Sequence, residues 1–267
     1  MRKKEKEMYA LFLKKNKKKN SFFSVILLLG FSFSLFAKAS MDPSETEVWK
    51  PTPLKVSVSE KLIPSDAIIL FDGKSLHHWE SMDGEDAPWV IEGNAFTVKP
   101  GTGNIVTKRK FSDVQLHIEW KTPLLDTKEC KKMPCAGQGK GNSGVFLQKR
   151  YEVQILDSFQ NDTYVNGQAG SIYKQFIPLV NASKEPGTWQ SFDIFFKAPT
   201  FDINKNLKTK ASMTVLHNGV LIQNNSILEG STVFIGLPKY DFHESDSILL
   251  QDHGNEVSFR NIWIREL

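Results

Sequence analysis

Short runs of apolar or alternating residues, separated by turn residues, fill this chain from residue 67 to its end. Runs of this kind, bounded by Gly, Pro, Asn and Asp, are typical of β-strands. No segment after residue 40 shows apolar residues at the 3.6-residue spacing of a long helix. The sequence therefore predicts one all-β domain of about 200 residues, built as a two-sheet sandwich or a barrel. A sandwich of many strands fits this length better.

Fourteen runs are predicted strands. Between two of them, Asn218 and Gly219 predict a hairpin, because both central residues of a type I′ turn need positive φ. The predicted strands are residues 67–71, 89–91, 95–98, 104–107, 114–121, 143–148, 152–156, 170–173, 190–197, 212–217, 220–224, 232–236, 248–251 and 256–265.

The first 39 residues have the order of a secretory signal peptide. A basic stretch up to residue 20 precedes the apolar run FFSVILLLGFSFSLF at residues 22–36, and AKA at residues 37–39 is a small-x-small cleavage signal. The apolar run is shorter than the ~20 residues of a membrane-spanning helix, and no Cys directly follows it as a lipid attachment site. We therefore expect residues 1–39 to be removed, and the mature protein to be periplasmic or secreted without membrane attachment.

Most of the excess positive charge lies in this signal peptide. Ten of the 34 Lys and Arg residues, but two of the 30 Asp and Glu residues, fall within residues 1–39. The rest of the chain therefore has a net charge of −4, against +4 for the whole sequence. A mildly acidic domain lacks the basic field that nucleic-acid binding requires, so no nucleic-acid partner is expected.

The predicted mature chain begins with a segment of low periodicity. Residues 40–66 contain four prolines, which indicates an extended N-terminal leader. The single β-sandwich domain is then predicted at residues 67–267.

Two cysteines, Cys130 and Cys135, lie in a polar loop rich in Gly and Lys. Export to an oxidising compartment favours a disulfide between them. Free thiols are the main alternative. A structural zinc site usually needs two such pairs, and the sequence has no second pair.

The richest candidate site is the run YEVQILD at residues 151–157. Side chains alternate across a strand, so Glu152 and Gln154 share one face. Asp157 is one residue out of phase, and a β-bulge would bring it beside them. Two carboxylates and an amide at short range suit acid–base work on a glycoside. The solvated outer face of an amphipathic strand would give the same pattern.

Three further regions carry polar residues suited to sugar binding. Asn142 lies in a glycine-rich stretch just before this strand and could bond sugar hydroxyls or form a plain turn. Strand 114–121 has a polar row that includes Glu119, which is either a concave binding face or a solvent face. His253 lies at a strand end with Asp252 beside it and is the best functional candidate among the six histidines, although an exposed turn histidine would look the same.

Common nucleotide and metal motifs are missing from the sequence. The histidines show no H-x-H or H-x-x-x-H grouping. The chain has no Walker loop, no dinucleotide-binding glycine motif after a strand and no G-x-S-x-G elbow. A dedicated histidine metal site is therefore not expected.

Six blocks in order resemble the bacterial domain family named for 3-keto-disaccharide hydrolase. The resemblance covers about residues 65–267 and implies an exported enzyme with a concanavalin A-like jelly-roll sandwich of two antiparallel sheets. The blocks are LFDGKSLHHWE at 70–80, LHIEW at 116–120, GNSGVFLQKRYEVQILDSF at 141–159, NGQAGSIYKQ at 166–175, HNGVLIQN at 217–224 and LQDHGNEVSFRNIWIREL at 250–267.

The family name implies cleavage of 3-keto-glycosides or 3-keto-disaccharides. A C3 ketone acidifies the C2 hydrogen, so a base could remove it, the C1 substituent could leave, and water could add. This resemblance suggests Glu152 or His253 as base and Asp157 as acid or orienting group. A divalent cation could replace Lys174 as electrophile, and an upstream sugar 3-dehydrogenase would be the pathway partner. The implied contacts to an oligosaccharide or glycoside substrate are Gln154, Asn142, Glu119, Lys174, Gln251 and Asp252.

A second likeness is to the laminarinase signature E-x-D-x-x-E on a bulged strand. Glu152, Gln154 and Asp157 keep its spacing, but Gln replaces the middle Asp and Asp replaces the last Glu. These departures disfavour an ordinary retaining glucanase. Two alternatives stay open: a glycosidase acting on unoxidised glucans, and a non-catalytic carbohydrate-binding module, because fold alone does not give function.

Overall fold

The computed structural model describes residues 42–60, 62–124 and 135–267. Within these ranges, no helix is both long enough and apolar enough to cross a membrane.

The chain divides into two compact units, residues 1–53 and 54–267. The described part of the first unit contains a 3-10 turn at Pro43–Thr46. Asp42 caps this turn, because its carboxylate accepts the N–H of Ser44 at 2.9 Å.

The second unit is built almost entirely from strands. Two short 3-10 turns, at Gly137–Gly139 and Val165–Gly167, interrupt them. In its described part the strands are β1 Ile68–Phe71, β2 Trp79–Ser81, β3 Val90–Glu92, β4 Ala95–Thr97, β5 Ile105–Thr107, β6 Val114–Lys121, β7 Ser143–Leu147, β8 Tyr151–Ile155, β9 Gln190–Lys197, β10 Thr200–Phe201, β11 Leu207–Thr209, β12 Ser212–His217, β13 Val220–Ile227, β14 Leu249–Leu250 and β15 Ser258–Glu266.

These strands form two main antiparallel sheets. The large sheet has eight strands in the order β13-β12-β9-β6-β15-β4-β3, with β1 also pairing with β15. The small sheet has five, in the order β2-β5-β14-β7-β8. Strands β10 and β11 pair separately as a two-stranded sheet. The described residues thus confirm the predicted all-β fold of two antiparallel sheets.

A single apolar core lies between the two sheets. On β6 of the large sheet, Val114, Leu116, Ile118 and Trp120 are fully buried, and they alternate with half-buried polar residues. On β8 of the small sheet, Val153 is buried in the same core. The two-residue period of each strand therefore turns one face of each sheet inward and leaves the other face for polar groups.

Two of the predicted strands are wrong. Residues 170–173 run beside β8 and exchange backbone hydrogen bonds with Gln154, but they turn back at once, since Ile172 also pairs with Phe176. Residues 232–236 form a loop that reaches β8 through Thr232, whose N–H donates to the Arg150 carbonyl at 2.8 Å. Both segments carry strand-forming residues, but neither has a neighbour along its whole length to make a ladder.

Three short strands were not predicted: β2, β10 and β11. Each has two or three residues, which is too short for an alternating pattern. Pairing defines them: β2 pairs with β5, and β10 and β11 pair with each other.

The cysteine loop falls largely outside the described residues. Cys135 is disulfide-bonded, whereas Cys130, its predicted partner, lies outside the described residues. The free-thiol alternative therefore does not hold for Cys135.

Candidate active site

Strand β8 places Glu152 and Gln154 on the outer face of the small sheet. Tyr151, Val153 and Ile155 point the other way into the core, as predicted from the alternation. The two polar side chains lie in a cleft of about 230 Å³. The cleft is lined by Asn142, Phe146, Glu152, Gln154, Tyr173, Thr232, Phe234, Gln251 and His253.

A glycine on the neighbouring strand leaves room for the Glu152 carboxyl. In the β7–β8 ladder, Gly144 pairs with Gln154 and Phe146 pairs with Glu152. A Cβ atom on Gly144 would lie 2.6 Å from Glu152 Oε1 and 2.8 Å from a ring carbon of Phe146. The carboxyl therefore lies across β7 at a place that a larger residue would occupy.

Glu152 is a buried carboxyl without a compensating partner. The residue is 4% exposed. Among the described residues, none donates a hydrogen bond to its carboxyl or forms an ion pair with it. Burial raises the pKa of Glu152 to about 8, because desolvation disfavours the charged form. At neutral pH this carboxyl is thus poised to accept or donate a proton, as a general acid or base must be.

Three amide side chains lie around this carboxyl, and they differ in how many of their atoms are engaged. Gln154 Nε2 donates to Asn142 Oδ1 and to the Ile155 carbonyl, both at 3.0 Å. Asn142 Nδ2 donates to the Gln138 carbonyl at 2.7 Å. By contrast, Gln251 Oε1 is buried and has no hydrogen-bond partner in the described part of the chain. Since buried polar groups are normally paired, Gln251 is the least engaged of the three amides among the described residues.

Four cleft residues were missed by the sequence analysis: Phe146, Tyr173, Thr232 and Phe234. The Tyr173 hydroxyl lies 2.6 Å from the Tyr164 hydroxyl, and burial, this contact and the nearby Glu152 raise the pKa of Tyr173. Thr232 Oγ1 accepts the backbone N–H of Glu152 at 3.1 Å. Tyr173, Thr232 and Phe234 lie in the two segments wrongly predicted as strands, so alternation could not place them.

Asp157 does not line the cleft. Strand β8 ends at Ile155 and its ladder with β7 has no register shift, so the predicted bulge is wrong. The Asp157 carboxylate instead forms an ion pair with Lys140 Nζ at 3.0 Å and accepts the Phe159 N–H at 3.1 Å. The expected pair of carboxylates beside Glu152 is therefore not assembled.

Glu119 lies on the other sheet, away from the cleft. It lines a separate depression of about 470 Å³ on the large sheet. Its carboxylate accepts hydrogen bonds from Arg260 Nε at 2.5 Å and from Asn261 Nδ2 at 2.9 Å. The polar row on β6 and the polar pair on β8 are therefore not parts of one site.

The C-terminal turn supplies one cleft residue. His253 lines the exposed mouth of the cleft. Asp252 beside it does not, because its carboxylate accepts the N–H groups of Gly103 at 3.0 Å and Gly254 at 2.9 Å. Asp252 thus stabilises the turn that carries His253.

Lys174 lies outside the cleft lining and is exposed. Its Nζ donates to the Phe234 carbonyl at 2.6 Å and lies 4.2 Å from the centre of the Phe234 ring. The ammonium group is therefore engaged with the residue at the cleft mouth and not with the cleft floor.

The described residues contain no group of three or more His, Cys, Asp or Glu that could hold a metal ion. Of the described residues that line the cleft, Glu152 alone has a carboxyl and His253 alone an imidazole. A typical catalytic zinc site uses three protein ligands, so this donor set does not fit one.

Comparisons with known proteins cover most of the chain. The model of the family described as 3-keto-α-glucoside 1,2-lyase-like domain matches residues 66–265. A 3-keto-disaccharide hydrolase of Bacteroides thetaiotaomicron is 26% identical, over 86% of this chain and 90% of its own length.

Two crystal structures of candidate glycosyl hydrolases from Parabacteroides distasonis ATCC 8503 are similar. The one at 2.13 Å resolution is 46% identical with a TM-score of 0.79, and the match covers 86% of this chain and 98% of that chain. The one at 1.70 Å is 21% identical with a TM-score of 0.54, covering 75% and 94%, and shares the fold. These relatives support a carbohydrate hydrolase function in general terms. With the match over residues 66–265, this chain belongs to the 3-keto-α-glucoside 1,2-lyase-like family.

Proposed function

We propose that this protein is an exported enzyme that cleaves the glycosidic bond of 3-keto-glycosides, with Glu152 as its acid–base residue. The observation that carries the proposal is the state of the Glu152 carboxyl. It is buried at the cleft and has no partner among the described residues, and burial raises its pKa to about 8. The names of the family and of the Bacteroides relative supply the substrate class.

The first step is removal of the C2 proton by the ionised Glu152 carboxylate. A ketone at C3 acidifies this proton, because the electron pair left on C2 is delocalised onto the ketone oxygen as an enolate. An amide N–H aimed at that oxygen stabilises the developing charge in a site shielded from water. Gln251 is our candidate for this donor, because its Nε2 donates no hydrogen bond among the described residues, whereas the amide nitrogens of Gln154 and Asn142 do.

The second step is loss of the group on C1. The enolate electrons re-form the ketone and a C1–C2 double bond, and the C1–O bond breaks. The leaving oxygen takes a proton, for which His253 at the cleft mouth or the newly protonated Glu152 is available. Asp157, the acid suggested by the sequence, pairs with Lys140 instead and is not assigned this role.

Water then adds to C1 and a proton returns to C2. The net reaction is hydrolysis, because one water molecule is consumed and the leaving alcohol and a 3-keto sugar are released. Release before the addition of water would be a lyase reaction. One acid–base residue can thus account for both the word lyase in the family description and the word hydrolase in the relative's name.

The cleft favours this route over direct displacement on an unoxidised glucoside. Retaining and inverting glycosidases usually need two carboxyl groups flanking the bond. Among the described residues, the cleft lining contains one, Glu152. Elimination from a ketone needs a single base in that position, which matches what the cleft offers.

Export and a partner enzyme belong to the same proposal. The signal-like sequence at residues 1–39 supports release into the periplasm or the medium. A sugar 3-dehydrogenase must supply the ketone, since this chain carries no dinucleotide-binding glycine motif. Expression of the full chain in a bacterium with a periplasm, followed by N-terminal sequencing, should give a protein that starts at Ser40. A protein that keeps residues 1–39 would contradict the export proposal.

The direct test compares a chromogenic glucoside with its C3-oxidised counterpart, in each anomer, using the purified protein. We expect release of the chromophore from the oxidised substrate alone. Release from the plain glucoside would make the protein an ordinary glycosidase. If the protein bound either sugar without releasing the chromophore, it would be a carbohydrate-binding module and not an enzyme for these substrates.

A further inference from the structure

A loop with a closed base stands beside the cleft. The Ser231 N–H donates to the Lys239 carbonyl at 3.0 Å, so the two ends of the loop meet. At Gly230 the backbones are so close that a Cβ atom would lie 2.4 Å from Lys239. Residues 232–238 therefore project as a short loop from a fixed base, and we call these residues the lip.

The lip presents apolar side chains to solvent. Phe234, Ile235 and Leu237 are 69%, 84% and 88% exposed. Single exposed apolar residues are common, but three within four positions are not, and clustered ones mark binding surfaces. Phe234 also lines the cleft, so this apolar surface continues from the site that holds Glu152.

Contacts from two sides hold the lip against the cleft. Thr232 makes two hydrogen bonds here: its N–H donates to the carbonyl of Arg150, the residue before β8, and its hydroxyl accepts the N–H of Glu152 on β8. Lys174 Nζ donates to the Phe234 carbonyl at 2.6 Å and lies 4.2 Å from the ring centre, which is within cation–π range. The orientation of Phe234 is thus coupled to the strand that carries the acid–base residue.

The size of the cleft limits how much of a substrate it can enclose, and so which part of the substrate extends to the lip. At about 230 Å³ it is smaller than the ~300–1,000 Å³ of pockets that enclose drug-sized ligands. The polar lining groups include the buried side chains of Glu152, Asn142 and Gln154 and the half-buried Gln251, and a cleft of this size has room for about one sugar ring. A group attached to that ring lies outside the cleft, where Phe234 is one of the exposed lining residues it can contact.

We propose that the lip is the subsite for the leaving group, and that it favours apolar or aromatic leaving groups stacked on Phe234. Lys174 is a positioning residue that holds Phe234 in place. This inference rests on the proposed cleavage of 3-keto-glycosides and extends it to the part of the substrate outside the cleft.

The test measures the affinity of the Glu152→Gln variant, in which turnover is strongly reduced, for the methyl and phenyl 3-keto-glucosides of one anomer. Calorimetry should give a Kd about tenfold lower for the phenyl compound, the size expected for stacking plus buried area. Adding Phe234→Ala should reduce the phenyl-to-methyl affinity ratio to within about twofold of one. Adding Ile203→Ala, which truncates a 96% exposed residue in the β10–β11 turn, should leave the ratio unchanged.

Turnover by otherwise unmodified protein gives a second readout. Phe234→Ala should lower the phenyl-to-methyl ratio of kcat/KM about tenfold, and Lys174→Met should raise KM for the phenyl substrate more than it lowers kcat. Equal affinity of the two compounds, or a ratio unaffected by Phe234→Ala, would overturn the lip subsite while leaving the reaction intact. Failure of the folded protein to bind or cleave either compound would overturn the proposed function, and the subsite with it.

Discussion

Two carboxyl groups on alternating strands have opposite surroundings in this molecule. Glu152 on the small sheet is buried and has no partner among the described residues, and its pKa is raised to about 8. Glu119 on the large sheet is surrounded by donors. The charged ring of His117 at 4.0 Å, then Asn261 and Arg260, outweigh burial and lower the pKa of Glu119 to about 2.

The environment of Glu119 is a closed network. His117 Nδ1 donates to Asp193 at 2.7 Å, and its ring stacks on Trp263. Burial by itself would lower the pKa of His117, but bonding to Asp193 and Glu119 raises it to about 9. The charges in this network therefore compensate one another, as structural ion pairs do.

The contrast separates stabilising groups from reactive ones. A buried charge that is fully paired contributes to the fold, and its proton is fixed over the physiological range. A buried carboxyl that is left unpaired costs stability, and it is retained where its proton is used. By this criterion we propose that Glu152 belongs to the active site and that the network around Glu119 belongs to the scaffold.

The largest expected effect is on turnover. Glu152→Gln should lower kcat on a 3-keto-glucoside by about 10²–10⁴-fold, because proton transfer is lost while shape is kept. The matched variant on the other sheet, Glu119→Gln, should keep kcat within about twofold. If kcat fell equally in both variants while their circular dichroism spectra stayed unchanged, the two carboxyls could not be assigned different roles.

The pH dependence of stability should have opposite signs at the two carboxyls. The pKa of Glu152 is higher in the folded state, so its ionisation costs stability as pH rises from about 4.5 through about 8. Glu152→Gln should therefore be more stable than wild type at pH 8, by up to several kcal/mol, and nearly equal at pH 4. Urea unfolding at both pH values measures this. A stabilisation that does not change with pH would contradict the unpaired state of Glu152.

For Glu119 the folded pKa is lower, so its stabilising contribution is present above about 4.5 and lost as pH falls through about 2. Glu119→Gln should therefore be less stable than wild type at neutral pH, and the two should converge in acid. If the stabilities of Glu119→Gln and wild type instead converged at alkaline pH, the pKa of Glu119 would not be lowered in the folded state, and the account of its network would be contradicted.

A smaller effect on turnover is expected from the glycine that faces Glu152. Gly144→Ala puts a methyl group 2.6 Å from Oε1, so the carboxyl must move. We expect kcat/KM to fall about 10–100-fold, because misplacement of about 1 Å has costs of this size. Thermal unfolding run beside the kinetics shows whether the protein stays folded. Full activity in a folded Gly144→Ala protein would show that the carboxyl position is not critical.

The smallest effect is expected at His117. Its raised pKa means that its stabilising contribution is complete below about 6.5 and is lost as pH rises through about 9. His117→Gln should lower the free energy of unfolding by about 1–3 kcal/mol at pH 6, and by less at pH 10, with turnover unchanged. If His117→Gln lost turnover without losing stability, the network on the large sheet would have a role in catalysis, which would contradict this account.

Much of the fold was predictable because it depends on local patterns. Alternation identified strands β6, β9 and β12 with their observed bounds and placed Glu152 and Gln154 on one face. Strands β2, β10 and β11 were missed because their two or three residues do not lie in an apolar run bounded by turn residues, whereas the equally short β3, β4 and β5 do.

The candidate site was less predictable, because spacing does not reveal partners. Glu119 and Glu152 have the same alternating context in the sequence. They differ in their partners: Glu119 has His117 two residues before it on the same strand, and Arg260 and Asn261 about 140 residues away. Asp157 was predicted beside Glu152, but Lys140 holds it elsewhere. Phe234 lies in a loop whose position depends on contacts with Lys174 and β8.

The most direct measurement is a titration of the Glu152 carboxyl itself by carbon-detected NMR on protein labelled at glutamate. The resonance that disappears in Glu152→Gln identifies the group. An unpaired buried carboxyl should titrate with a midpoint near 8, whereas a midpoint near 4.5 would show that the group is solvated or paired and is not the acid–base residue.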